Sequence, residues 1–192
     1  MKVIKKSSLE EYARWYLARE NLKPGNSYDL SEAVRIMERE HPAKLPFFYN
    51  QDACWQTVLI DKVEEFENLI FLEANPGWTY DECLVMPEQS LNYRLLKNVA
   101  QNAIAKDYLH QGLNPQKHLA YYEKFLNGQI KLLGVNRIFI HTADQNIVSK
   151  NPAGKYYIQD GSGRCLSLMI LLLEKKLLFT PLEAFMAKRL NE

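Results

Sequence analysis

The stretch YYIQDGSGRCLSLMILLL at residues 156–173 joins two different local patterns. Its aromatic and β-branched beginning favours a short strand, and its dense aliphatic end favours a buried helix. Between them, Asp-Gly-Ser-Gly-Arg at 160–164 contains two glycines, which adopt backbone conformations that other residues avoid. The stretch therefore predicts a strand, a tight turn and a helix that begins near Ser162 or Gly163.

This turn has the chemistry of an anion site. The first backbone N–H groups of a helix lack intrahelical partners, and the helix N-terminus carries a partial positive charge, so phosphate is a frequent ligand there. Gly161 and Gly163 allow the backbone to approach a ligand closely. Ser162 can donate its hydroxyl, and the guanidinium of Arg164 matches the geometry of phosphate. We therefore expect residues 161–164 to bind a phosphate group.

Two side chains near the turn are candidates for catalysis alongside Arg164. Asp160 could cap the helix, hold Arg164, or coordinate a Mg²⁺ ion that bridges phosphates. His141 ends the strand-like run RIFIH and could reach the phosphate as an acid or base; the alternative is a partly exposed residue at a strand end. The same residues also fit an ordinary turn, in which Asp160 is only a cap and Arg164 only a surface charge.

The piece GKYYIQDGSGRCLSL at 154–168 resembles the ParB/sulfiredoxin-like superfamily, whose members have a strand, a DG-x-x-R turn and a helix. Asp160, Gly161 and Arg164 stand at the motif positions. The resemblance implies a nucleotide ligand whose phosphates lie at the helix N-terminus. If the protein is an enzyme, it implies an ATP- or CTP-dependent kinase or a nucleotide hydrolase, in which positioning and neutralisation of charge by Arg and Mg²⁺ supply the catalysis.

Two positions depart from that family pattern. Gly163 stands where the family often has His, and Ser162 stands at the position of the sulfiredoxin cysteine. Cys165 follows the arginine instead, so sulfiredoxin chemistry is not expected. In the first turn of the helix, Cys165 is either a reactive thiol or a small buried residue.

The same turn also resembles the end of the Fic-domain motif, in which D/E-G-N-G-R precedes a helix rich in leucine. Tyr156 occupies the place of the catalytic histidine, Ile158 that of the aromatic residue, and Ser162 that of the asparagine. A Fic-like protein would therefore be a degenerate nucleotidyl transferase. It predicts a helix before Asp160, where the residues favour a strand.

Composition limits the partners of the chain. Its 192 residues include 24 Lys and Arg against 23 Asp and Glu, which gives no general attraction to DNA or to an anionic membrane. A non-catalytic module for DNA or a protein partner stays open as an alternative. The three cysteines form no CxxC pair, which disfavours a disulfide scaffold or a closed zinc site. Without an apolar leader or a membrane-length apolar stretch, the sequence predicts a cytoplasmic protein.

The remaining patterns predict a single α+β domain over residues 1–192 with a small mixed sheet. Residues 1–125 form a mainly helical portion with two strands, and residues 126–192 hold the ParB/sulfiredoxin-like core and C-terminal helices. Helices are expected at 8–21, 29–40, 90–109 and 115–127, and a pair of strands at 55–60 and 68–73. Thr180-Pro181-Leu182-Glu183 forms a capping box, which predicts a C-terminal helix.

Overall fold

The computed structural model describes residues 1–20, 29–46, 49, 53–71, 95–111, 115–142 and 156–189. Within these ranges the chain forms a six-stranded mixed sheet with helices on both faces, which confirms the predicted α+β class. No helix in the described ranges is long and apolar enough to cross a membrane.

The strands are β1 (Lys2–Lys6), β2 (Ala53–Ile60), β3 (Ile70–Phe71), β4 (Ile138–His141), β5 (Tyr157–Asp160) and β6 (Leu182–Arg189). The helices are α1 (Leu9–Arg19), α2 (Leu30–Glu40), α3 (Val63–Glu67), α4 (Leu96–Ala105), α5 (Tyr108–Gln111), α6 (Pro115–Leu126) and α7 (Ser162–Leu173). Two short 3₁₀ turns lie at Pro42–Lys44 and Gly134–Asn136.

The strand order in the sheet is β1-β2-β6-β4-β5-β3. β6 pairs antiparallel with β2 and parallel with β4, so the last strand in sequence lies near the centre of the sheet. β5 pairs antiparallel with β4 and parallel with β3. One sheet therefore contains strands from both sides of residue 125.

Alternation along β4 divides the core between the two faces of the sheet. Ile138 and Ile140 pack into the larger cluster, with residues of α3, α4, α6 and α7. Phe139 points to the opposite face and packs with α1 and α2. There the ring centroid of the fully buried Tyr12 lies 4.2 Å from that of Phe139 and 5.6 Å from that of Trp55. This aromatic contact fixes α1 against the sheet.

The predicted C-terminal helix is wrong, because residues 182–189 form β6. Leu182 and Ala184 pack into one core cluster, whereas Phe185 packs into the other. This period of two buries apolar side chains on both faces of a central strand, and it outweighs the local capping signal. Glu183, read as part of a capping box, pairs with Arg137 at 3.1 Å and accepts a hydrogen bond from the backbone of Gly134.

Several other predicted elements are confirmed. The side chain of Ser8 caps α1 by accepting from the backbone of Glu11, and Asp29 caps α2 by accepting from the backbone of Ser31. The helix predicted from residue 115 is α6, and the strand and helix around the glycine turn are β5 and α7. In place of one helix at 90–109, the structure has two, α4 and α5. They are separated near Asp107, whose φ is +50°. Residues 90–94 lie outside the described ranges.

The two strands predicted as a pair, β2 and β3, are not neighbours in the sheet. β2 pairs instead with β1. The sequence pattern did not indicate β1, because KVIKK contains three lysines and all five of its residues are exposed. Of the predicted strand at 68–73, Ile70 and Phe71 form β3, and residues 72–73 lie outside the described ranges.

Replacing Phe185 by alanine tests the central position of β6. Phe185 is 3% exposed and contacts the rings of Tyr12 and Trp15, so Phe185→Ala should lower the free energy of unfolding by about 3–5 kcal/mol. Leu178 is 91% exposed, and Leu178→Ala should change it by no more than about 0.5 kcal/mol. Urea unfolding followed by circular dichroism measures both values. Equal small losses would contradict the position of β6.

Candidate functional site

The turn between β5 and α7 requires glycine at position 161. Gly161 is the N-cap of α7 with φ of +96°, a left-handed conformation that other residues rarely adopt. A Cβ at this position would lie 2.8 Å from Cγ2 of Ile138 and 3.1 Å from the guanidinium of Arg164. The positive φ and the lack of room for a Cβ therefore both explain why position 161 is glycine. Helix α7 begins at Ser162, as the sequence predicts.

The first turn of α7 presents backbone donors without capping by a side chain. Ser162 and Gly163 are partly exposed, and their backbone N–H groups donate no backbone hydrogen bond to any of the described residues. The first intrahelical bond runs from the backbone of Cys165 to the carbonyl of Gly161, at 2.9 Å. These N–H groups can therefore meet solvent or an anionic ligand.

Asp160, the last residue of β5, is surrounded by three positively charged side chains. Arg19 donates to both carboxylate oxygens, at 3.1 Å for Oδ1 and in a closer bond to Oδ2. Arg164 donates to Oδ2 at 3.0 Å, and Nζ of Lys44 lies 3.5 Å from Oδ1. We call Arg19, Lys44 and Arg164 around Asp160 the cation cluster.

The cation cluster decides among the predicted roles of Asp160. Asp160 holds Arg164, as one alternative predicted, but it does not cap α7, because Gly161 is the N-cap. Both carboxylate oxygens already accept from cationic donors, and three positive charges repel a divalent cation, so this geometry does not fit Mg²⁺ at Asp160. Among the described residues, no group of three or more His, Cys, Asp or Glu side chains could hold a metal ion.

The surrounding charges keep Asp160 ionised. Burial by itself raises the pKa of this carboxyl group, but the hydrogen bond and charge of Arg19, together with the charges of Arg164 and Lys44, lower the pKa below its ordinary value. Burial lowers the pKa of Arg164, against the charge of Asp160; a guanidinium nevertheless stays protonated in proteins. Asp160 and Arg164 are therefore a pair of full charges.

Arg164 is buried, so the interpretation as a surface charge is wrong. One terminal nitrogen donates to the carbonyl oxygens of Asn136, at 2.6 Å, and Arg137, at 3.2 Å. The other donates to Asp160. These contacts tie α7 to β5 and to the 3₁₀ turn before β4. A phosphate clamp at Arg164 stays a prediction.

The sequence pattern around the glycine turn gives no indication of Arg19 and Lys44, the other members of the cation cluster. Arg19 lies in the last turn of α1 with its guanidinium carbon 4.9 Å from the ring centroid of Trp15 and 5.0 Å from that of Tyr16. It is 141 residues from Asp160 in sequence. No local pattern reports such a contact; only the packing of α1 beside the end of β5 creates it.

His141 is the last residue of β4 and is only 2% exposed, so the alternative of a partly exposed strand end is wrong. Nδ1 lies 2.6 Å from the carbonyl oxygen of Thr142, and Nε2 lies 2.9 Å from Oε1 of Gln159. The contact with Gln159 connects His141 to β5. A catalytic role for His141 stays a prediction.

Cys165 is fully buried, and burial raises the pKa of its thiol to about 12. It is therefore a small core residue, as one alternative predicted, and not a reactive thiolate.

A groove of about 400 Å³ lies elsewhere, beside the C-terminal half of α7. Its walls come from α4, α5, α6 and α7 and include Ile104, Tyr122 and Glu174. The hydroxyl of Tyr122 donates to Glu174 at 2.7 Å and accepts from Lys176 at the rim. None of the site residues predicted from sequence lines this groove.

Comparison with protein-family models finds no match, and comparisons with curated proteins and with solved structures find none. The Fic-like alternative predicts a helix before Asp160, but the structure has β5 at residues 157–160, which contradicts it. The strand, turn and helix predicted from the residues at this place are present as β5, Gly161 and α7.

Removing the charge of Asp160 should destabilise the protein strongly. Asp160→Asn leaves the buried Arg164 without a counter-charge and removes one of the two acidic partners of Arg19, so we expect the free energy of unfolding to fall by about 3–5 kcal/mol. Asp61 is exposed, and Asp61→Asn should change it by no more than about 0.5 kcal/mol. Urea unfolding at neutral pH measures both. A similar small change in both variants would contradict a structural role for the cation cluster.

The lowered pKa of Asp160 also predicts a loss of stability in acid. Its folded pKa lies below the unfolded value, so its contribution to stability is complete above about pH 4 and is lost as the pH falls through the folded pKa. Urea unfolding of the wild-type protein and Asp160→Asn across this range measures the difference. The gap between them should narrow as the pH falls. A constant gap would show that the charge of Asp160 is not its source.

Proposed function

We propose that the protein binds a nucleotide, with its phosphates against the backbone of residues 161–163. The observation that carries the proposal is an excess of positive charge where α7 begins. Arg19, Lys44 and Arg164 meet the single negative charge of Asp160, and Glu20 adds another negative charge by pairing with Arg19 at 2.8 Å. One positive charge of this described group is left without compensation.

The surroundings strengthen the attraction for an anion. Asp160 and Arg164 are 5% and 6% exposed, and charges in such partly dehydrated regions interact more strongly than in water. Because Asp160 is next to the N-cap, the cation cluster lies beside the N-terminus of α7, whose partial charge is also positive. Phosphate fits both features, since its oxygens accept from backbone N–H groups and carry full charge.

The residues of the turn have different roles in this proposal. The backbone N–H groups of Ser162 and Gly163 and the hydroxyl of Ser162 donate to phosphate oxygens. Gly161 lets the chain leave β5 and enter α7 in the required conformation. Asp160 and Arg164 hold the turn in place. The ParB/sulfiredoxin-like resemblance of residues 154–168 supports a nucleotide, and not a smaller phosphate, as the ligand.

Phosphoryl transfer or nucleotide hydrolysis would use the same arrangement. Catalysis in such reactions depends mainly on positioning and on stabilisation of the charge on the transferred group. The cation cluster supplies positive charge, and a Mg²⁺ ion would arrive bound to the nucleotide, since Asp160 does not fit as its ligand. Binding is therefore the function proposed first, and turnover the one proposed second.

Thermal unfolding with ATP, CTP or GTP and Mg²⁺ tests the proposal. A nucleotide at a hundredfold its dissociation constant should stabilise the wild-type protein by about 2.7 kcal/mol. The informative variant is Ser162→Asp. A carboxylate in the first turn of α7 favours the helix by about 0.3–1 kcal/mol but repels a phosphate, so stability and nucleotide response should change in opposite directions. Ser162→Asn is the matched control without charge.

The expected result is stabilisation by at least one nucleotide, retained in Ser162→Asn and lost in Ser162→Asp. Failure of all three nucleotides at millimolar concentration to shift the wild-type protein would reject the proposal. An equal shift in wild type and Ser162→Asp would place the nucleotide away from the N-terminus of α7.

A further inference from the structure

Lys44 differs from the two arginines of the cation cluster. The side chains of Arg19 and Arg164 are 13% and 7% exposed, and both donate hydrogen bonds to Asp160. Lys44 is 32% exposed, and its Nζ lies 3.5 Å from Oδ1 of Asp160. That distance exceeds the usual length of a hydrogen bond between charged groups. The ammonium group is therefore held loosely, at the solvent-facing side of the cluster.

Asp160 does not need Lys44 for its charge balance. Arg19 and Arg164 already donate to both of its oxygens, and their two positive charges balance the negative charges of Asp160 and Glu20. A third cation adds repulsion from the arginines to its attraction by Asp160. An added anion can offer the ammonium group a closer contact than the 3.5 Å that separates it from Oδ1 of Asp160.

The backbone that carries Lys44 is fixed from two sides. The hydroxyl of Tyr12, on α1, donates to the carbonyl oxygen of Lys44 at 2.8 Å. The side-chain amide of Gln159, on β5, donates to the carbonyl oxygen of Ala43 at 2.7 Å. The 3₁₀ turn at Pro42–Lys44 is thus attached both to α1 and to the strand that ends in Asp160. This attachment lowers the entropy that Lys44 would lose on binding a ligand.

We propose that Lys44 is a phosphate-binding residue, whose ammonium group turns from Asp160 to the polyphosphate of the nucleotide. The inference rests on the proposed function and names the side chain that recognises the ligand's charge. Lys44 exchanges a long contact with an already compensated carboxylate for a charge-assisted hydrogen bond to a phosphate oxygen. Arg19 and Arg164 stay on Asp160 and keep the turn before α7 in place.

Calorimetric titration with inorganic pyrophosphate and with Mg²⁺-ATP tests this role. Lys44→Gln should weaken the binding of both by about tenfold or more, the usual loss for a hydrogen bond between charged groups. Lys44→Arg should retain most of the affinity, because it keeps the charge. Lys124 is an exposed lysine on α6 that makes none of the ion pairs of the cation cluster, and Lys124→Gln changes net charge equally. The unfolding temperature of Lys44→Gln should match wild type, since its contact with Asp160 is long and partly exposed.

The outcomes separate the two proposals. Weakening in Lys44→Gln, with affinity retained in Lys44→Arg and Lys124→Gln, supports the inference. Equal affinity in wild type and Lys44→Gln overturns it and leaves the proposed function standing. Equal weakening in Lys44→Gln and Lys124→Gln also overturns it, because net charge alone would then explain the loss. If the wild-type protein binds neither pyrophosphate nor Mg²⁺-ATP, both proposals are overturned.

Discussion

The buried carboxylate of Asp160 is the constraint on which the arrangement of this protein depends. Lys44, on the 3₁₀ turn after α2, makes only a long contact with it. Arg19 joins it to the end of α1, and Arg164 joins it to the first turn of α7. A buried charge is costly unless it is paired, so these elements are held together at one point. Arg164 extends the connection to the turn before β4 through two backbone carbonyls.

The same constraint connects the fold with the proposed function. The sheet is covered on one face by α1 and α2 and on the other by α3, α4, α6 and α7, and the cation cluster lies where α1 approaches the beginning of α7. Residues from distant parts of the sequence therefore meet beside the backbone donors of Ser162 and Gly163. Two arginines already compensate the charge of Asp160. The positive charge of Lys44 is therefore in excess at the same place.

Sequence patterns predicted the features that depend on interactions between residues close in sequence. Caps at Ser8 and Asp29 and the glycine turn at 161 were readable, because each depends on residues within one turn of a helix. The capping box at Thr180 misled, because burial on both faces of a central strand outweighed it in β6. β1 was missed for the opposite reason: an exposed edge strand has little apolar alternation to detect. The contacts of Arg19 and Lys44 with Asp160 could not be predicted from the sequence, because only tertiary packing brings these residues together.

Binding of a phosphate group at the N-terminus of α7 can be observed by NMR of the backbone amides. The amide signals of Ser162 and Gly163 would be followed during titration with Mg²⁺-ATP, together with those of the groove beside the C-terminal half of α7. Binding at this position should produce saturable shifts of the Ser162 and Gly163 signals, because their N–H groups would donate to the phosphate. Shifts confined to the groove around Ile104 and Tyr122, with Ser162 and Gly163 unchanged at saturation, would contradict it.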